Sequence, residues 1–99
     1  MGEVTRNVSI TLVAATAKDV LLENEHRKAF VITNTGGTAV TLNKGLNLPV
    51  VGAGIILQPN NTYLEGDSEG FSCWKGRLSC ISAAAGSLGI SETIITELQ

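Results

Sequence analysis

His26 is the sole histidine of this 99-residue chain, so acid–base or nucleophilic chemistry near neutral pH would have to begin with it. A Ser-His-Asp arrangement would recruit it with Asp19 or Asp67 and one of several serines. No nucleophile-elbow pattern occurs, however, and His26 stands in the hydrophilic run Glu23-Asn24-Glu25-His26-Arg27-Lys28, where a solvated surface histidine is the ordinary outcome. His26-Arg27-Lys28 also reads as a short basic cluster answered by local ion pairs to Glu23 and Glu25, with contact to an acidic partner surface as the sharper alternative. Glu65-Gly66-Asp67-Ser68-Glu69-Gly70 opens like a calcium loop, but the twelfth position counted from Glu65 is Gly76, where such a loop needs a bidentate acid. An exposed acidic turn between strands is the expectation. Cys73 and Cys80 are the only thiols. A two-residue turn at Gly76-Arg77 would set them opposite each other as a hydrogen-bonded pair with Cα atoms about 5.5 Å apart, a pairing that cross-strand disulfides avoid. Two small buried hydrophobes are therefore expected, with a disulfide as the alternative, and no second Cys or His pair completes a zinc site. Trp74 and Tyr63 read as core or interface residues against the alternative of a sugar platform. No catalytic residue, metal or cofactor is assigned, and the chain is expected not to be an enzyme.

Short strands must position these residues. At 43% hydrophobic and 16% charged, with 11 glycines, the composition suits strands and turns better than exposed helices, and the length fits one domain with one core. A net charge of -2 and a pI near 5.2 lack the basic field that phosphate backbones attract, which argues against nucleic acid as a partner. No apolar run approaches the ~20 residues of a membrane-spanning helix, and residues 1–6 carry no signal-peptide core. A protein made in the cytosol, with no membrane partner, is expected. Gly2 does not read as a myristoylation site, since Arg6 stands where that motif wants Ser or Thr.

Phe30 and Ile32, then Val40 and Leu42, recur at every second position on either side of Asn34-Thr35-Gly36-Gly37. The spacing predicts strand, turn, strand across residues 27–42, with those four side chains facing one core. Val8, Ile10 and Leu12 predict a first strand of about six residues, preceded by a polar arm over residues 1–7. Asp19-Val20-Leu21-Leu22 predicts a second strand ending at Glu23, and residues 43–54 read as a long ordered loop. Ile55-Ile56-Leu57 and Thr62-Tyr63-Leu64-Glu65 are brief strands parted by a turn at Gln58-Pro59-Asn60-Asn61. Residues 71–74 and 77–84 predict a second hairpin. Residues 88–98 close the chain with Leu88, Ile90, Ile94 and Leu98 on one parity and a break near Glu92. Together these predict an all-β fold, an antiparallel two-sheet sandwich of jelly-roll type with about eight short strands, as one domain over residues 8–99 behind the arm.

Four segments carry a resemblance: Arg27-Lys28-Ala29-Phe30-Val31-Ile32-Thr33-Asn34-Thr35-Gly36, Val40-Thr41-Leu42, Gly54-Ile55-Ile56-Leu57-Gln58-Pro59-Asn60-Asn61-Thr62-Tyr63 and Gly76-Arg77-Leu78-Ser79-Cys80-Ile81-Ser82-Ala83. They resemble a pattern of small virion proteins of tailed bacteriophages, in which a basic residue opens a strand ending in Ile-x-Asn-Thr-Gly and a later strand ends at Leu-x-Pro. The likeness spans residues 27–90; the 43–51 loop and the two cysteines stand outside it. It implies a head decoration (cement) protein on the capsid exterior, or a module anchoring fibres to the head. Such proteins are commonly homotrimeric jelly rolls whose partner is the major capsid protein. The expected capsid contacts are Val4 and Arg6 in the arm and Leu46, Leu48 and Val50 in the loop, since both stretches set isolated apolar anchors among polar groups. The alternative is a head-fibre or tail accessory module binding a receptor or a carbohydrate.

Overall fold

The computed structural model describes residues 2–96. Alternating apolar and polar residues produce eight strands: β1 (Gly2–Leu12), β2 (Lys18–Leu21), β3 (Arg27–Asn34), β4 (Val40–Lys44), β5 (Ile55–Leu57), β6 (Thr62–Gly66), β7 (Leu78–Ser82) and β8 (Gly86–Thr96). They form two four-stranded sheets, β1-β8-β3-β6 and β2-β7-β4-β5, and every pairing is antiparallel. Consecutive strands change sheets at every step except β4 to β5, which is the order of a jelly roll. The sandwich expected from the alternation is the fold of the protein.

Phe30, Ile32, Val40 and Leu42 lie in the core at 1% exposure or less, joined by Leu12, Leu57, Leu78, Cys80 and Leu88. Their shared core is as expected, but β3 and β4 do not pair with each other. The polar break between them carries the chain from one sheet to the other. Buried Asn34 pins that crossover: its amide donates to the carbonyls of Thr38 (2.8 Å) and Leu57 (2.9 Å), and its Oδ1 accepts from the Gly36 N–H at 3.0 Å. A side chain at Gly36 would place Cβ 2.9 Å from the Ser87 nitrogen, so the close passage under β8 requires glycine.

Three other expectations change. Residues 2–7, read as an arm, belong to β1 and pair with β8 from Gly2↔Thr96 to Asn7↔Ser91; Met1 lies outside the described residues. Polar side chains hid this strand, because one of its faces meets solvent and its neighbour β2 is too short to cover the other. The second hairpin is also absent: β7 runs from Leu78 and residues 72–77 are irregular, so Cys80 lies opposite Lys18 and Leu42 and not opposite Cys73. Backbone groups there bond to side chains instead of a ladder; the N–H groups of Cys73 and Trp74 donate to Asp67 and Glu65, and the carbonyls of Trp74 and Gly76 accept from Arg27. Finally, β8 passes Glu92 unbroken and begins at Gly86; Leu98 falls outside the described residues.

Candidate functional site

Several of the charged side chains are bonded to one another inside the sandwich. Arg27, expected on the surface, is fully buried on β3. Its Nε donates to Glu92 Oε2 at 2.8 Å, its terminal nitrogens donate to the carbonyls of Trp74 (3.0 Å), Gly76 (3.1 Å) and Leu22, and its guanidinium stands 5.9 Å from the Phe30 ring centre. Arg6, from β1, adds a second guanidinium to Glu92 Oε1 at 3.0 Å. A buried charge is tolerable only when it is paired and hydrogen-bonded, and this network engages all three nitrogens of the Arg27 guanidinium. It fastens β1, β3, β8 and two loops. Lys28 pairs with Glu3 and not with a local acid, while His26 is exposed, with its backbone N–H donating to Asn24 Oδ1 at 2.9 Å.

Glu65 is also a correction, since it is buried in β6 and not part of an exposed turn. Its carboxylate accepts from the Trp74 N–H at 2.8 Å and from the Tyr63 hydroxyl, and it pairs with Lys44. Lys44 Nζ stands 5.6 Å from the centre of the Trp74 ring system and 5.9 Å from that of Tyr63, a cation held between two aromatic faces. Burial works to raise the Glu65 carboxyl, but the hydrogen bonds from Lys44, Tyr63 and the Trp74 N–H outweigh it and hold the group below its ordinary value. Asp67 is held low by the Cys73 N–H (2.8 Å) and by Lys75 (3.0 Å). Two of the three acids of the would-be calcium loop, Glu65 and Asp67, are thus committed to partners within the chain, while Glu69 is exposed. Among the described residues, no three His, Cys, Asp or Glu side chains gather where they could hold a metal ion. Cys73 and Cys80 are free thiols buried as expected, and burial pushes the Cys80 thiol up to about 11.

What remains open is surface. Of the expected contact residues, Val4 and Arg6 lie exposed on β1, while Leu46, Leu48 and Val50 project from the β4–β5 loop. These are separate surfaces. In the second sheet β2 forms one margin, with β1 beside it across the sandwich, and β4–β5 form the other margin. Between β1 and β2 the sandwich gapes, because four residues of β2 face eleven of β1. The gap is a cleft of about 180 Å³ walled by Val8, Ile10, Val20, Leu21 and Ile90, with the Arg6–Glu92 ion pair at its side. Alternation places Val8 inward but cannot reveal that nothing covers it, so it stands 47% exposed.

The outer face of the first sheet is a ladder of small hydroxyl side chains. Thr5 pairs with Thr93 (2.9 Å), Thr35 with Ser87 (2.8 Å), Thr33 with Thr62 (3.0 Å), and Ser91 donates to Asn7. A shallow groove of about 300 Å³ crosses this face at Gly89, between Ser9 and Thr33.

No family model and no curated protein matches the chain. Among solved structures it is similar to a chain from Bacillus endospore appendages, which form a family of disulfide-linked pili. That likeness has a TM-score of 0.50 at 14% sequence identity and covers 96% of this chain and 89% of the other. It is a likeness of fold.

Proposed function

We propose that this chain is a structural subunit that works by association with other protein surfaces in a repeating assembly, and not by turnover. The observation that supports this best is β1. It is an eleven-residue strand at the margin of its sheet, it contains no proline, and its two charged residues, Glu3 and Arg6, are tied to Lys28 and Glu92. Soluble proteins ordinarily blunt such an edge with prolines, free charges or a covering segment, because its unpaired N–H and C=O groups accept a further strand. An edge left this long and this plain suits strand addition by a neighbouring subunit. The fold likeness to a pilus protein favours a second copy of this chain as that neighbour, giving a filament.

A second reading keeps the same surfaces and changes the partner: a head decoration protein, trimeric, bound to the major capsid protein of a tailed bacteriophage. The resemblance of residues 27–90 and the uncharged apolar tip at Leu46, Leu48 and Val50 favour it. Repetition by symmetry would let modest contacts hold such a subunit by avidity. Sugar or receptor binding through Trp74 has less support, since its indole N–H donates to the Arg77 carbonyl at 3.1 Å and Lys44 stands over its ring.

The test is electron microscopy and sedimentation of the purified chain, alone and mixed with expanded phage heads, followed by hydrogen exchange of β1. Filaments formed by the chain alone, with amides of residues 2–12 gaining protection on assembly, support the first form. Binding to heads without filaments supports the second. A chain that stays monomeric at millimolar concentration and binds no heads refutes both.

A further inference from the structure

The two open surfaces match each other. The cleft between β1 and β2 is apolar on most of its wall and measures about 180 Å³, whereas a cavity of about 150 Å³ lined by aliphatic side chains already holds a benzene-sized group. Of its polar members, Glu92 is bonded to both Arg6 and Arg27, and the Arg6 side chain is 67% exposed, so an apolar occupant seated on Val8, Ile10, Val20, Leu21 and Ile90 leaves Glu92 paired. The loop on the opposite margin carries no charged residue from Gly45 to Gly54, and it presents Leu46 at 85% and Leu48 at 74% exposure. It is held in shape: the Gly45 N–H donates to the Arg77 carbonyl (3.1 Å), the Asn43 amide to the Asn47 carbonyl (2.7 Å), the Gly52 N–H to Thr41 Oγ1 (3.0 Å), and Pro49 is buried. A pre-shaped loop loses little freedom on docking.

Resting on the self-association reading above, we propose that the β4–β5 loop of one copy seats Leu46 and Leu48 in the β1/β2 cleft of the next. The occupant is a second copy because knob and hole are both built into one chain, neither satisfies the other within it, and both are apolar where Leu46 and Leu48 would meet Val8, Ile10, Val20, Leu21 and Ile90. Since the two lie on opposite margins of the sandwich, the contact is head-to-tail and leaves a free knob and a free hole at the ends of every open oligomer. Such a contact propagates unless its rotation closes a ring.

Two variants of the full chain test this, Leu46→Asp/Leu48→Asp for the knob and Val8→Asp for the hole; all three positions are exposed, so thermal melts should show both folded. Wild type should assemble, and each variant alone should remain monomeric at ten times the concentration that assembles wild type. An equimolar mixture should yield 1:1 dimers and nothing larger, because the intact loop of the Val8→Asp chain fits the intact cleft of the other. Should Val8→Asp lose its folded melt, Val8→Asn serves the same arm. If wild type assembles and both variants assemble like it, or if their mixture stays monomeric, the contact is refuted while self-association stands. If wild type never assembles, both fall together.

Discussion

Replacing Arg27 with methionine would leave the buried Glu92 carboxylate with only the exposed Arg6 guanidinium as its partner and take the guanidinium donor from the carbonyls of Trp74, Gly76 and Leu22. The expected cost is about 3–5 kcal/mol in urea unfolding, a large share of the roughly 5–15 kcal/mol typical of a domain. Arg27→Met/Glu92→Leu should recover part of it, because the buried, half-paired acid is gone while the carbonyls of Trp74, Gly76 and Leu22 stay without the guanidinium. Glu65 makes a pH prediction. Its folded carboxyl titrates below its ordinary value, so its contribution is fully present above the unfolded value, near 4.5, and is lost as pH falls through the folded one. The melting temperature should therefore drop between pH 5 and 3, and Glu65→Gln should drop less over that interval while starting lower at pH 7. Neither residue's role was legible in the sequence. Arg27 looks like one cation in a hydrophilic run, and its acid lies 65 positions away; Glu65 looks like the start of an acidic turn, and Lys44 and Trp74 reach it only through the folded sandwich.

Strands were far more legible than their partners. The every-second-residue recurrence of Phe30, Ile32, Val40 and Leu42 identified the core correctly, since side-chain alternation is local. Pairing is not local, so a hairpin and a crossover between sheets look alike in the sequence, and β3–β4 proved to be the latter. The same limit turned the first half of β1 into an expected arm. Deleting residues 2–7 should remove the ladder partner of residues 91–96 of β8 and uncover Glu92, lowering the melting temperature instead of leaving the fold untouched. At the β4–β5 connection, Gly54 has φ +147° and a Cβ there would lie 2.6 Å from the Leu42 oxygen. Gly54→Ala should cost about 1–3 kcal/mol in denaturant unfolding, while Gly37→Ala, with nothing within 4 Å and no such dihedral, should stay within about 0.5 kcal/mol.

For the molecule as a whole, both cysteines are free thiols buried in the sandwich. Thiol-specific labelling of the native chain should modify neither Cys73 nor Cys80, and denaturant should expose two; assemblies formed by the chain should persist in strong reductant. A joint made by strand edges and a loop in a cleft requires no oxidant. The pairing of β1 with β8 carries one more consequence, for the order of events during synthesis. The first of the eight strands must wait for the eighth, and β8 also supplies a neighbour of β3, so the larger sheet cannot close until all the other strands have been made. Until β8 emerges, β1 has no ladder partner and β3 lacks one of its two, whereas the β2-β7-β4-β5 sheet and the β3–β6 pair can already form, and that interval is the time of greatest exposure of β1 to chaperones and to aggregation.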